Sequence, residues 1–166
     1  MSDRRYPLIL GVAGAAFVLD RVTKLWIVEW MNLREVLFIP VVDPFLNLTM
    51  AWNRGVNFGL FATGDTGRWV LIGIALAIVV GLLVWARGGM TRVQAAATGL
   101  IVGGAIGNVW DRVQYGAVAD FLNMSCCGID NPFAFNVADA AIFGGALTLA
   151  FFSGSGDKDE APRDGA

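Results

Sequence analysis

Four stretches of this chain are apolar over lengths that a soluble helix does not need. The cleanest, WVLIGIALAIVVGLLVWA at 69–86, runs 18 residues without a charge and has a tryptophan near each end. At ~1.5 Å rise per residue, Trp69 and Trp85 would stand about 24 Å apart, close to the thickness of a bilayer core, and tryptophans favour its interfaces. Residues 93–110 form a second uncharged stretch of 18, rich in Gly and Ala, as closely packed membrane helices are. Another runs over 135–152 and is interrupted only by Asp139, and the first runs over 7–28, where Asp20, Arg21 and Lys24 break its outer half. The pattern predicts an all-α membrane protein with four transmembrane helices.

Between the first two spans, around 30–68, the pattern changes. EVLFIP, VVDPFLNLTMAWN and FGLF mix β-branched and aromatic residues with Pro and Gly, which predicts short strands in a small β-containing platform on the membrane. Arg4 and Arg5 precede the first span, and Arg87 and Arg92 flank the tight RGGMTR turn between spans two and three. The positive-inside rule puts both groups, and therefore both termini, in the cytoplasm. The platform and residues 111–134 then lie outside, although Arg34, Arg54, Arg68 and Arg112 make the charge bias weak. The apolar part of the first span, 8–19, has signal-peptide length, but no small-x-small site follows it, so it reads as an uncleaved helix. Residues 1–156 form one membrane domain, and the acidic tail at 157–166 is expected to be disordered.

Composition narrows the function. The chain is 56% hydrophobic, against about 45–50% for a typical soluble domain. The tail from Asp157 onward holds two of the 12 basic and four of the 14 acidic residues, leaving ten of each in the body. A neutral body gives nucleic acid no basic face to bind. Histidine is absent, which excludes Ser-His-Asp and Cys-His nucleophiles and His-ligated zinc sites of the HExxH kind. Cys126 and Cys127 are neighbours, about 3.8 Å apart at Cα and so below the usual disulfide range; they read as small loop residues. Neither a metal nor a cofactor is expected.

Polar residues nonetheless sit where apolar ones would be cheaper. Asp20 and Lys24 stand at i, i+4 and can pair. Asn53 and Asn57 lie in NRGVNFGL, with Gly55 and Gly59 permitting a tight path. Asn108, Asp111 and Arg112 share a helix face at the end of span three, Asp120 follows, and Asn136 and Asp139 open span four. In the topology above, all of them meet at the outer face. Structural readings exist for each: an Asp111–Arg112 ion pair, Asn136 as a helix N-cap, Asp139 as a first-turn acid, Asn53 and Asn57 as turn residues.

Asp120 and Asp139 together ask for more, because carboxylates in apolar surroundings are functional-site candidates. Nineteen positions and a Gly128/Pro132 loop separate them, so they come from different elements and can face each other. Two facing carboxylates cannot both ionise cheaply; one keeps a proton and the other is a base. That is the arrangement of aspartic proteases, in which water attacks an amide without metal or histidine. A rival from another class is a small proton or solute carrier that uses Asp20, Lys24, Asp111 and Asp139 as a relay. It calls for ionisable groups at mid-depth and on both sides of the membrane.

In order and spacing, DRVTK (Asp20 to Lys24), NRGVNFG (Asn53 to Gly59), GNVWDRVQYGAVADFL (Gly107 to Leu122) and FNVADAAI (Phe135 to Ile142) resemble the signature blocks of bacterial lipoprotein signal peptidase, or signal peptidase II. The resemblance covers about residues 7 to 152. It implies a four-span inner-membrane aspartic endopeptidase that removes signal peptides from diacylglyceryl-modified prolipoproteins just before the lipidated cysteine. By the same resemblance, Asp120 and Asp139 align with the catalytic dyad. Asn53, Asn108, Asp111, Arg112 and Asn136 match substrate-binding positions, and Asp20 and Lys24 match a structural pair on the first helix. The implied partners are the prolipoprotein and membrane lipid, with the enzyme a monomer. Asn57 and Ala140 depart from the family pattern, which usually has a small residue and Ser there.

Overall fold

In the computed structural model, the described residues are 5–55, 64–126 and 131–152. Asn57, Gly59, Cys127 and the acidic tail fall outside them, so the expectations for those positions do too. The described residues fold as five α-helices and three strands. They are α1 (Tyr6–Lys24), α2 (Leu33–Val36), β1 (Phe38–Val42), β2 (Leu46–Asn53), α3 (Gly64–Trp85), α4 (Arg92–Tyr115), β3 (Val118–Asn123) and α5 (Val137–Phe152). The boundaries follow local chemistry. Pro7 in the first turn of α1 has no N–H to leave unpaired. Thr91 caps α4 in a reciprocal box with Gln94: the Thr91 hydroxyl accepts from the Gln94 amide at 3.2 Å, and Gln94 Oε1 accepts from the Thr91 amide at 2.8 Å. Gly116, at φ 77°, closes α4 in the left-handed conformation and turns the chain into β3.

α4 is the central element. It packs against α1, α5 and α3, and glycines let its neighbours come close. A Cβ at Gly103 would collide with the Ala13 backbone, and one at Gly104 with the carbonyl oxygen of Ala138. The Gly- and Ala-rich pattern of this span therefore marks an interface, as small residues do between membrane helices. α3 differs: Trp69, Ile74, Ile78, Val80, Val84 and Trp85 are all exposed. Two helical segments, Thr66–Gly88 and Arg92–Tyr115, are long and apolar enough to cross a membrane, and α5 is a shorter apolar helix. α1 carries Asp20, Arg21 and Lys24 in its last turns, and beyond Lys24 the chain continues as a wider π-helical stretch, Leu25–Trp30.

The platform is a three-stranded antiparallel sheet in the order β1-β2-β3. Its first two strands lie in the segments EVLFIP and VVDPFLNLTMAWN, where β-branched and aromatic residues between Pro and Gly predicted them, and FGLF falls outside the described residues. The third was not anticipated, because VADFLN is too apolar to alternate; its residues are buried nearly throughout. β3 pairs with β2 so that Asp120 stands opposite Ala51 and Val118 opposite Asn53. A bridge from Leu122 to Phe135 then carries the chain to the start of α5. Val28, Leu33, Leu48, Ala119 and Phe121 form the core that fastens the sheet to the end of α1. Full burial of Phe121 or Leu33 contributes about 1.5–3 kcal/mol each. The position of β3, and of Asp120 on it, therefore rests on packing.

Candidate active site

Asp120 is 3% exposed. Its Oδ1 accepts from Asn136 Nδ2 at 2.6 Å, and its Oδ2 from Asn53 Nδ2 at 3.1 Å. Asn53 reaches it from β2, Asn136 from the residue just before α5. Asp139, in the first turn of α5, accepts from Asn108 Nδ2 of α4 at 2.8 Å. Asn136 joins the two halves: its Oδ1 accepts from the Asp139 amide at 2.9 Å, its own amide faces Asp139 Oδ2 at 3.4 Å, and its Nδ2 also faces Asn108 Oδ1 at 3.3 Å. The predicted N-cap and first-turn acid are therefore one reciprocal cap that also reaches Asp120. Asn53 keeps its turn role as well, since its Oδ1 accepts from the Gly55 amide at 3.1 Å.

Burial and the neighbouring charge of Asp139 push Asp120 from its ordinary value of 3.8 up to about 6, against the opposing pull of Asn53, Asn136 and Lys24. Such a carboxyl holds its proton well above the usual carboxylate range, which general acid–base work near neutrality requires.

Asp20, Lys24 and Asp111 belong to a second layer. Lys24 bridges Asp20 at 3.0 Å and Asp111 at 2.7 Å, and Arg21 bridges the same two carboxylates at 2.6 Å each. The expected Asp20–Lys24 pair thus exists, but as half of a four-charge cluster in which both aspartates are fully buried. Asp111 forms its ion pairs with Arg21 and Lys24 of α1, not with Arg112, because both α1 cations stand within 2.7 Å of it. Arg112 Nη1 donates to the Asn108 carbonyl at 3.3 Å, and its buried Nε has no hydrogen-bond partner among the described residues. Asp111, Asp120 and Asp139 all contribute to the electrostatic environment of this guanidinium. Arg21 was not singled out from sequence. The signal available was a third charge between Asp20 and Lys24 in an apolar run.

A cavity of about 340 Å³ lies on the other face of β3, lined by Phe17, Arg21, Lys24, Trp52, Trp110 and Ala119 among others. Ala119 and Asp120 are successive strand residues and point to opposite sides of the sheet. The cavity thus backs onto the carboxylate pair without containing it.

The profile of the family described as Signal peptidase (SPase) II matches residues 12–153. The chain belongs to the signal peptidase II family. The lipoprotein signal peptidase of Methylorubrum extorquens (strain PA1) is 46% identical over 137 residues, 81% of this chain and 78% of that one. That of Caulobacter vibrioides is 41% identical over 140 residues, 84% and 82% of the two chains. A bacterial membrane enzyme solved by the in meso method at 2.3 Å superposes with a TM-score of 0.74 at 27% identity, covering 94% of both chains. As a signal peptidase II the chain is an aspartic peptidase, and its apolar helices accord with a membrane enzyme.

Proposed function

We propose that Asp120 and Asp139 form the catalytic dyad with which this peptidase cleaves prolipoprotein signal peptides. The single observation that carries the assignment is Asn136, which hydrogen-bonds both carboxylates and so holds two acids of different elements in one site. One carboxylate takes a proton from water, whose oxygen attacks the carbonyl carbon of the scissile amide. The protonated partner gives its proton to the carbonyl oxygen, forming a gem-diol. Collapse breaks the C–N bond as the leaving amine is protonated, and the dyad regains its single shared proton. Asn53 and Asn108 orient the carboxylates from β2 and α4, and the Arg112 guanidinium offers donors to the substrate backbone.

The substrate is the diacylglyceryl-modified prolipoprotein, cut just before the lipidated cysteine, with its acyl chains left in the surrounding lipid. The enzyme acts as a monomer. Four helices cross the inner membrane with both termini cytoplasmic: α1, α3, α4 and α5. The platform and dyad then lie at the outer face, where a signal peptide is presented. The ionisable residues Asp20, Lys24, Asp111, Asp120 and Asp139 form one connected group. This clustering supports a peptidase over a proton or solute relay, which needs such groups spread through the depth of the membrane.

The test is cleavage of a diacylglyceryl-modified prolipoprotein by purified wild type, Asp120→Asn and Asp139→Asn, with a thermal melt of each. Both variants should fold and neither should cut. Cleavage by either at a substantial fraction of the wild-type rate overturns the dyad, and a trapped covalent acyl-enzyme overturns the water mechanism.

A further inference from the structure

The four-charge cluster does more than satisfy itself. Asp111 Oδ2 accepts from the backbone amide of Ala119 at 3.1 Å, and Asp20 Oδ1 from that of Ala138 at 3.1 Å. Ala119 immediately precedes Asp120, and Ala138 immediately precedes Asp139. Each buried carboxylate of the cluster thus holds the peptide next to one member of the dyad, in β3 and in α5. Arg21 and Lys24 tie those two carboxylates together, since each bridges Asp20 and Asp111. The peptides beside Asp120 and Asp139 are connected through one turn of α1. Close packing supports the arrangement, because Gly107 leaves only enough room for Asp20: a Cβ there would lie 2.8 Å from Asp20 Oδ2.

We infer that Arg21 and Asp111 are positioning residues of the reaction: with Asp20 and Lys24 they set the separation of the two dyad carboxylates through the amides of Ala119 and Ala138. The inference rests on the dyad reading above and assigns Asp111 a role other than substrate contact. A displacement of about 1 Å at reacting groups costs ~100-fold in rate, so an error in the cluster should appear in catalysis before it appears in binding. It should also appear in titration, because Asp120 is raised by burial first and then by the nearness of Asp139, and is opposed by Asn53, Asn136 and Lys24. The other polar groups against Asp120 are Asn53 of β2 and Asn136 before α5, which neither variant alters; the Arg112 charge of α4 is left in place by Arg21→Lys, whereas Asp111→Asn also removes one of the carboxylates acting on it.

The experiment measures cleavage, melting and pH profile for Asp111→Asn and Arg21→Lys, beside Asp120→Asn as the inactive control. Arg21→Lys keeps the net charge but withdraws the rigid guanidinium, whose Nη2 meets Asp20 and Asp111 while its Nε also donates to Asp20, so its shift reports geometry alone. It should melt close to wild type, lose at least tenfold in kcat with KM within about twofold, and move the alkaline limb of kcat/KM to lower pH as the carboxylates separate. Asp111→Asn should show the same pattern more strongly. A wild-type kcat and pH profile in folded Arg21→Lys overturns the inference, as does a raised KM with unchanged kcat in Asp111→Asn. If Asp120→Asn still cuts, the dyad reading fails first. If it is inactive while the cluster variants keep full kcat, the dyad stands and the positioning role does not.

Discussion

Asn136 Nδ2 donates to Asp120 at 2.6 Å, while the same residue's side-chain oxygen accepts from the Asp139 amide at 2.9 Å. One asparagine therefore orients an acid on a strand and caps the helix that carries the other. Asn136→Ala should remove both functions, with about 1 kcal/mol of stability lost from the cap and ~100-fold lost in kcat from misorientation. Asn136→Ser can cap the helix but is too short to serve Asp120, so it should recover the melting temperature without recovering the rate. Equal recovery of both would show that capping is its whole role.

Asp120, raised to about 6, makes two pH dependences. If the singly protonated pair is active, kcat/KM should fall above an apparent pKa near 6 that belongs to the pair. A profile flat over about pH 5 to 8 would contradict this. For stability the sign runs the other way from a salt-bridged acid. A carboxyl raised on folding stabilises fully below its unfolded value, and that contribution is lost as pH rises through about 6. Asp120→Asn lacks the titration, so its stability should gain on wild type between about pH 4 and 7, by at most ~3 kcal/mol, read from melts across that range.

Close approach of helices sets a third expectation. Gly104 faces the Ala138 carbonyl, whereas a Cβ at Gly81 meets nothing within 4 Å. Gly104→Val should cost about 1–3 kcal/mol or more, because backbone must move, and should lower activity by pushing α5 from α4. Gly81→Ala should be neutral or slightly stabilising in a melt, since alanine is the better helix former.

Two ion pairs of opposite setting should respond differently. Lys24 is 5% exposed and bridges two fully buried aspartates, so Lys24→Met leaves charge uncompensated and should cost about 3–5 kcal/mol. The Glu29–Arg34 pair has side chains 38% and 40% exposed, and Arg34→Ala should cost about 0.2–1 kcal/mol. Comparable losses in denaturation of the two variants would refute the ranking.

Much of this was legible in the chain. Uncharged length marks the helices of α3 and α4, and β-branched and aromatic residues punctuated by Pro and Gly mark β1 and β2. The polar residues of the site stand out because nothing else in their surroundings is polar. β3 was hidden by its own burial on both faces, which erases period-two alternation. The partners of Asp111 were hidden for a different reason. A carboxylate's nearest cation in sequence, Arg112, is easily mistaken for its partner, while Arg21 comes from a helix about ninety positions earlier. Backbone amides such as those of Ala119 and Ala138 leave no trace in residue type at all.

Among the described residues, α3 is the long helix least embedded in the rest of the protein, packing chiefly on α4 with much of its apolar surface outward. Its 22 residues span about 33 Å, and none of the three asparagines around the carboxylate pair comes from it. In the proposed topology, a bilayer that thickens or thins can tilt α3 like an outrigger while the asparagines of β2, of α4 and ahead of α5 keep their hold on the carboxylate pair. The chemistry is insulated from the elasticity of its solvent.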